Sequence, residues 1–384
     1  MTARLDRPGL LFALIGLAGL VLPLVQFKPN RIVPGEGITL AGALPAGWPL
    51  AAALAAILLA GCLHWRATLR LVLALAAVVA VLLSLGAAAT HLTPPDNTLA
   101  RVAPATGFWL LLLGFALMLA DALARLRPSL ILRWMLLGGA LALVVGLLAS
   151  GALEGVSVMR EYAVRRDSFV REAQAHLLLA FGSLGLALAV GLPLGVGIHQ
   201  SPALRRPVLS VLNVLQTIPS LALFGIMIPI FGWIAATVPG AAQAGVSGIG
   251  VFPALVALFL YSLLPVVSNT LTGLMGVSPA TQEAATGLGL TRVQVLAQVL
   301  VPLALPVLLA AVRIVLVQNI GLAVIAGLIG GGGFGTFVFQ GLNQTAMDLV
   351  LLGALPTIAL ALIAGIAMDL LVEAASRRPK GDRP

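Results

Sequence analysis

Ser278-Pro279-Ala280-Thr281-Gln282-Glu283-Ala284-Ala285-Thr286-Gly287-Leu288-Gly289-Leu290-Thr291-Arg292-Val293-Gln294 is a polar-to-mixed island between two long apolar runs. Its local chemistry specifies two short helices with a break. Ser278 is an N-cap residue with Pro279 at the first helical position. Gly287 and Gly289 end the first helix, because glycine accepts the left-handed conformation past a helix end. Thr291 and Gln294 have capping-box spacing and start the second helix, which runs into Pro302, where the next apolar run begins. A capped helix-turn-helix exposed between two membrane spans is a docking surface.

The flanking runs set the class. Of 384 residues, 60% are hydrophobic and 9% charged, against roughly a quarter charged in a soluble chain. The chain reads as an all-α polytopic membrane protein. The net charge of +9 does not indicate nucleic acid, because the arginines lie in short loops where they set orientation. One cysteine, Cys62, excludes an internal disulfide, and His64, His91, His176 and His199 lack metal-ligand spacing.

Ten spans of bilayer length are expected: 9–27, 46–64, 69–90, 105–123, 133–153, 173–198, 207–234, 249–271, 300–320 and 346–372. The first is read as a retained span and not a signal peptide, because it is long for an apolar signal core. With the N-terminus inside, fourteen basic residues fall on the cytoplasmic side and seven outside, with Arg313 in a span. That bias predicts N-in, C-in topology and a cytoplasmic Glu283 loop.

The segment 154–172 holds four acidic and four basic residues. It reads as a charged extracytoplasmic surface linker or helix between a module at 1–153 and a core at 173–373, with the loop at 275–299 and a basic tail at 374–384. The first module is Leu/Ala-rich with few intramembrane polar residues, a membrane scaffold or packing partner. The second carries Asn213, Gln216, Thr217, Pro219 and Ser220 in its second span. Tyr261, Ser262 and Pro265 interrupt the next, and Gln318 and Asn319 end the one after. Polar groups and prolines in lipid are tolerated where they face protein or a water-filled path, so Asn213, Gln216, Thr217, Ser220, Tyr261, Ser262, Arg313, Gln318 and Asn319 are candidate path residues.

Gly330-Gly331-Gly332-Gly333 lies in a glycine-rich run without the Lys-Ser/Thr of a phosphate loop. These glycines break a helix and let segments pack closely. No Gly-x-Ser-x-Gly elbow or carboxylate pair in the spans offers hydrolytic catalysis.

Glu283-Ala284-Ala285, Gly289, Val299, Val301 and Pro302 resemble the "EAA" signature of permease subunits of ATP-binding-cassette (ABC) importers, with Val where the family usually has Ile and Leu. The stretches 216–225, 260–265, 305–308 and 328–335 resemble the quaternary-amine and osmoprotectant branch of that family, which imports glycine betaine, choline and proline. The likeness covers about half the chain, residues 173–372, and five extra N-terminal spans resemble a longer subgroup. It implies a five-helix type I importer core in a bacterial inner membrane and two permease subunits, a second copy or a paralogue. It also implies an extracytoplasmic solute-binding protein and separate ATPase subunits that bind ATP, the chain itself needing no cofactor. Glu283, Ala284, Ala285 and Gly289 would couple the ATPase to the path. Betaines are held by aromatic cages, and with five Trp and two Tyr no obvious cage is encoded. Two other classes stay open. An ion-coupled secondary transporter would want an intramembrane carboxylate, and Asp348 and Asp369 lie near span ends. A non-transporting scaffold would not need the capped loop.

Overall fold

The computed structural model describes residues 6–29, 35–63, 66–94, 97 and 99–376. The basic tail from 377 onward, with Arg4, Arg31 and His64, lies outside them. The chain divides into two compact units, residues 1–164 and 165–384.

The first unit begins with helix α1 (Arg7–Val21), strands β1 (Pro23–Lys28) and β2 (Glu36–Thr39), and the single turn α2 (Leu40–Ala43). Helices α3 (Gly47–Gly61) and α4 (Ala67–Leu92), strand β3 (Arg101–Pro104), and helices α5 (Thr106–Leu126), α6 (Leu130–Ala149) and α7 (Ser157–Val164) follow. The strands make a small antiparallel sheet in the order β2-β1-β3, an addition to the expected helices of this unit. The apolar run expected to span from 9 to 27 stops being helical at Val21. Pro23 biases Leu22 to extended backbone (ψ 158°), and the chain continues as a strand. At 15 residues each, α1 and α3 are about 22 Å long, short of a hydrocarbon core of roughly 30 Å.

The second unit consists of α8 (Arg166–Gln200), α9 (Pro202–Thr217), α10 (Ser220–Thr237), α11 (Val251–Met275), α12 (Pro279–Gly287), α13 (Arg292–Gln294), a π-helical turn (Val295–Leu300), α14 (Val301–Leu322), a 3-10 turn (Ile325–Ile329), α15 (Gly335–Asn343) and α16 (Met347–Ser376). Eight helices among the described residues are long and apolar enough to cross a membrane, three in the first unit and five in the second; α1 and α3 are the shorter apolar ones. The segment 154–172 is largely helical. Its first part is α7, with Ser157 and Glu161 buried in the first unit, and its last part is the first turns of α8.

Two sequence expectations change in this unit. The span expected at 207–234 is two helices, broken where Pro219 pushes Ile218 to extended backbone (ψ 123°). The span containing Pro265 is not interrupted: α11 runs from Val251 to Met275. Pro265 has no N–H to donate to Tyr261 O, and Gln216 Nε2 donates to that carbonyl instead, at 2.8 Å. A neighbouring side chain satisfies the group that proline frees, so the helix continues.

The glycine run packs tightly between α14 and α15. Gly330, Gly332 and Gly333 have φ of 72°, 74° and 83°, conformations that cost other residues. A Cβ on Gly335 would lie 1.8 Å from Val324 O. The first turns of α8 hold this loop. Thr336 Oγ1 donates to Glu172 at 3.1 Å, and the Phe334 N–H points at His176 Nδ1 at 3.4 Å.

Candidate functional site

The loop after α11 has the capped geometry its sequence specifies. Ser278 Oγ accepts from the Thr281 N–H at 3.3 Å, with Pro279 at the first helical position. At the other end Gly289 takes φ 86°. The Leu290 N–H reaches Ala285 O at 3.2 Å and the Gly289 N–H reaches Thr286 O at 2.9 Å, the paired bonds of a Schellman motif. Thr291 and Gln294 form a reciprocal capping box, with Thr291 N–H to Gln294 Oε1 at 2.8 Å and Gln294 N–H to Thr291 Oγ1 at 3.4 Å. The chain then enters α14 through the π-helical turn, which falls just before Pro302.

Both ends of α12 are thus fixed by bonds of its own, which leaves its outer face free. Ala285 is buried, while Glu283, Ala284 and Gly289 are exposed. Leu288 and Val293 stand out at 82% and 73% exposure. A carboxylate and two apolar side chains projecting from a rigid turn form a surface suited to a protein partner.

The candidate path residues separate into three groups. Gln216, Thr217, Ser220, Tyr261 and Gln318 line one open cleft of about 340 Å³, together with Ile218, Pro219 and Leu322. Tyr261 braces the break between α9 and α10 from both sides. Its carbonyl accepts from Gln216, and its hydroxyl donates to Ile218 O. It is the one aromatic ring among the described residues lining the cleft.

Ser262 and Asn319 do not face the cleft. With Ser183 of α8, which the sequence did not single out, they form a fully buried triad that ties α8, α11 and α14 together. Asn319 Nδ2 donates to Ser183 Oγ at 2.8 Å and to Ser262 Oγ at 2.9 Å. Each serine also bonds a carbonyl of its own helix, Leu179 O at 2.5 Å and Leu258 O at 2.7 Å. A lone serine in an apolar helix gives no signal in sequence; only its position opposite Asn319 reveals it.

Asn213 is exposed on α9. Arg313 pairs with Asp369 of α16, both half-exposed.

The geometry defines a polytopic helical membrane protein whose second unit carries a capped, exposed loop and a polar cleft at a helix break. Residues 187–380 match the model of the binding-protein-dependent transport system inner membrane component, and the chain belongs to that family of transport permeases. Residues 6–159 match the model of the N-terminal domain of ABC transporter permease YehY, which bears out the likeness of the extra N-terminal spans to a longer subgroup.

Among curated relatives, the osmoprotectant import permease protein OsmW of Salmonella typhimurium is 43% identical over 49% of this chain and 82% of its own length. The carnitine transport permease protein OpuCB of Listeria monocytogenes is 37% identical over 51% of this chain and 83% of its own. The choline transport system permease protein OpuBB of Bacillus subtilis is 34% identical over 53% and 84%. Among solved structures, an inward-facing form of the MetNI methionine ABC transporter covers 56% of this chain and 98% of its own, at 26% identity and a TM-score of 0.48.

Proposed function

We propose that this permease belongs to an ATP-driven importer of glycine betaine, choline, carnitine or a related osmoprotectant. The N- and C-termini lie in the cytoplasm of a bacterial cell, following the bias of basic residues. The α12 loop docks separate ATPase subunits, which bind and hydrolyse the ATP; this chain takes no cofactor. A second permease, a copy or a paralogue, completes the path, and an extracytoplasmic binding protein delivers the solute. Selectivity lies mainly in that binding protein, in keeping with a cleft that offers one aromatic ring.

The observation that carries the coupling role is the loop itself. It is closed at both ends by its own hydrogen bonds and presents Glu283, Ala284 and Leu288 outward. The test is Glu283→Lys. Membrane insertion should be normal, while uptake of labelled glycine betaine is lost and less ATPase copurifies. Normal uptake in that variant would refute the coupling role.

A further inference from the structure

We propose that one face of α9, carrying Arg206, Ser210, Asn213 and Thr217, lines the half of the solute path between the cleft and the Arg206 end of that helix. The inference rests on the permease reading and extends the path beyond the cleft.

The spacing is i, i+4, i+7 and i+11, which places the four side chains along one face of a helix. All four are exposed. A second exposed stripe runs beside them and is apolar, with Leu204 at 52%, Val211 at 62% and Val214 at 64% exposure. The third face is the packed one. Leu212 is buried there, with Leu209 and Leu215 against Leu263, Val267 and Leu271 of α11 and Ile198 of α8.

Those contacts fix the depth of α9. They fall on the later part of α11 and the last turn of α8, so α9 lies beside the Met275 end of α11. Its 16 residues extend about 24 Å at the usual helical rise. They finish at Thr217, which lines the cleft beside Tyr261, and Tyr261 lies eleven residues into the 25-residue α11. The polar face therefore leads from mid-helix depth to the helix ends.

α9 is not itself long and apolar enough to cross a membrane, but it packs along the later half of α11, which is. Two exposed stripes of opposite character at that depth require two solvents. The apolar stripe suits hydrocarbon. Thr217 Oγ1 donates to Val214 O at 2.7 Å, but the Asn213 carboxamide and the Arg206 guanidinium would go unsatisfied in hydrocarbon, so their face is wet. The strip has donors and acceptors but no fixed charge between Arg206 and the cleft, which suits a zwitterionic or ammonium solute that must bind weakly enough to leave. Arg205 is engaged at the end of α8, donating to Ile198 O and His199 O at 2.9 Å each. Arg206 is the neighbour that projects, and its guanidinium suits the carboxylate of a departing zwitterion.

Cys62 is the only cysteine, so Cys62→Ser gives a clean background. Ser210→Cys, Asn213→Cys and Thr217→Cys on the strip, and Leu204→Cys, Val211→Cys and Val214→Cys on the apolar stripe, are made singly in the assembled transporter. Membranes opened to both faces are treated with a trimethylammonium methanethiosulfonate reagent. The strip variants should label at least about tenfold faster, because the reactive thiolate forms in water. Equal rates on the two stripes would overturn the proposal. So would an unreactive strip whose cysteines cross-link copy to copy under oxidation, which would place it in a protein interface. Labelling requires no substrate, so it is separate from the reading beneath it. An unlabelled strip with intact glycine betaine uptake in the Cys62→Ser background sinks the strip alone. Lack of uptake of every osmoprotectant by the wild-type complex sinks the substrate assignment, and the labelling pattern still decides whether the strip is wet.

Discussion

The first unit buries charge at the ends of its helices, whereas the second buries neutral polar groups well inside them. In the first, Asp6 just before α1, Arg70 in the first turn of α4, and Asp121 and Arg125 in the last turns of α5 form one ionic cluster. Arg70 binds Asp6 and lies 3.2 Å from Asp121; Arg125 reaches Asp6 and Asp121 at 2.8 Å each. Arg70 and Asp6 are each 3% exposed. In the second, Ser183, Ser262 and Asn319 link three helices without any charge. The difference follows from solvation. An ion deep in hydrocarbon costs several kcal/mol more than a hydroxyl that can turn to its own helix carbonyl. Charge is therefore tolerated where helix ends converge and every ion meets a counter-ion, and the deep links are neutral. Losing a member should strand a charge in one unit and nothing comparable in the other.

The largest effect is expected from Arg70→Leu. It leaves Asp6 buried with only Arg125, and Asp121 with one partner fewer. Breaking a buried ion pair from one side costs about 3–5 kcal/mol, seen as a lower unfolding temperature for purified protein and a weaker yield. Adding Asp6→Asn to Arg70→Leu should recover part of the loss, because the stranded charge is then gone. Wild-type unfolding of Arg70→Leu would show that the cluster does not hold the first unit together.

That cluster also marks where reading the sequence stops. The capped loop was legible because its determinants are local: Ser278, Gly289, Thr291 and Gln294 act on backbone within five residues. The apolar runs were legible by length. Arg70 and Arg125 were counted as loop charges that set orientation, because the Asp6 they share lies 64 and 119 residues away; only the i,i+4 pair of Asp121 and Arg125 is local. The sheet was missed for the same reason, since β1 pairs with β3 across a gap of more than seventy residues. Pro265 was read as an interruption because the donor that repairs it, Gln216, lies on another helix. Of the nine candidate path residues, the five that line the cleft could not be told from the buried pair, Ser262 and Asn319, since both sets are polar residues in apolar runs. Which way each faces is decided by packing against other helices.

A smaller effect is expected from Asn319→Ala. The variant loses the bonds to Ser183 and Ser262, but both serines keep their bonds to Leu179 O and Leu258 O. With no charge stranded, the cost is about 1–2 kcal/mol. Asn319→Asp sharpens the comparison. It is nearly isosteric but places a charge in the triad, so its unfolding temperature should fall well below that of Asn319→Ala. Equal stability of the two would mean that the triad is open to water, and the contrast between the units would fail.

The smallest effect within the working pH range comes from Asp6. Burial pushes its carboxyl upward, but hydrogen bonds and charge from Arg70 and Arg125 outweigh that and hold it below its ordinary value of 3.8. A carboxylate with a depressed folded-state value adds stability that is complete above 3.8 and is lost as pH falls through the lower folded value. The first unit should therefore be level from neutral pH down to about 5 and weaken only below about 4. Hydrogen exchange read unit by unit separates the two halves. Peptides from α4 should lose protection in that acid window, while α11 peptides around Ser262, whose triad has no titrating member, should not lose it through this route. Asp6→Asn should start from weaker protection of α4 at neutral pH and show a shallower acid decline than wild type. A decline just as steep in Asp6→Asn would assign the acid sensitivity to another group and leave the ionic cluster without its pH signature.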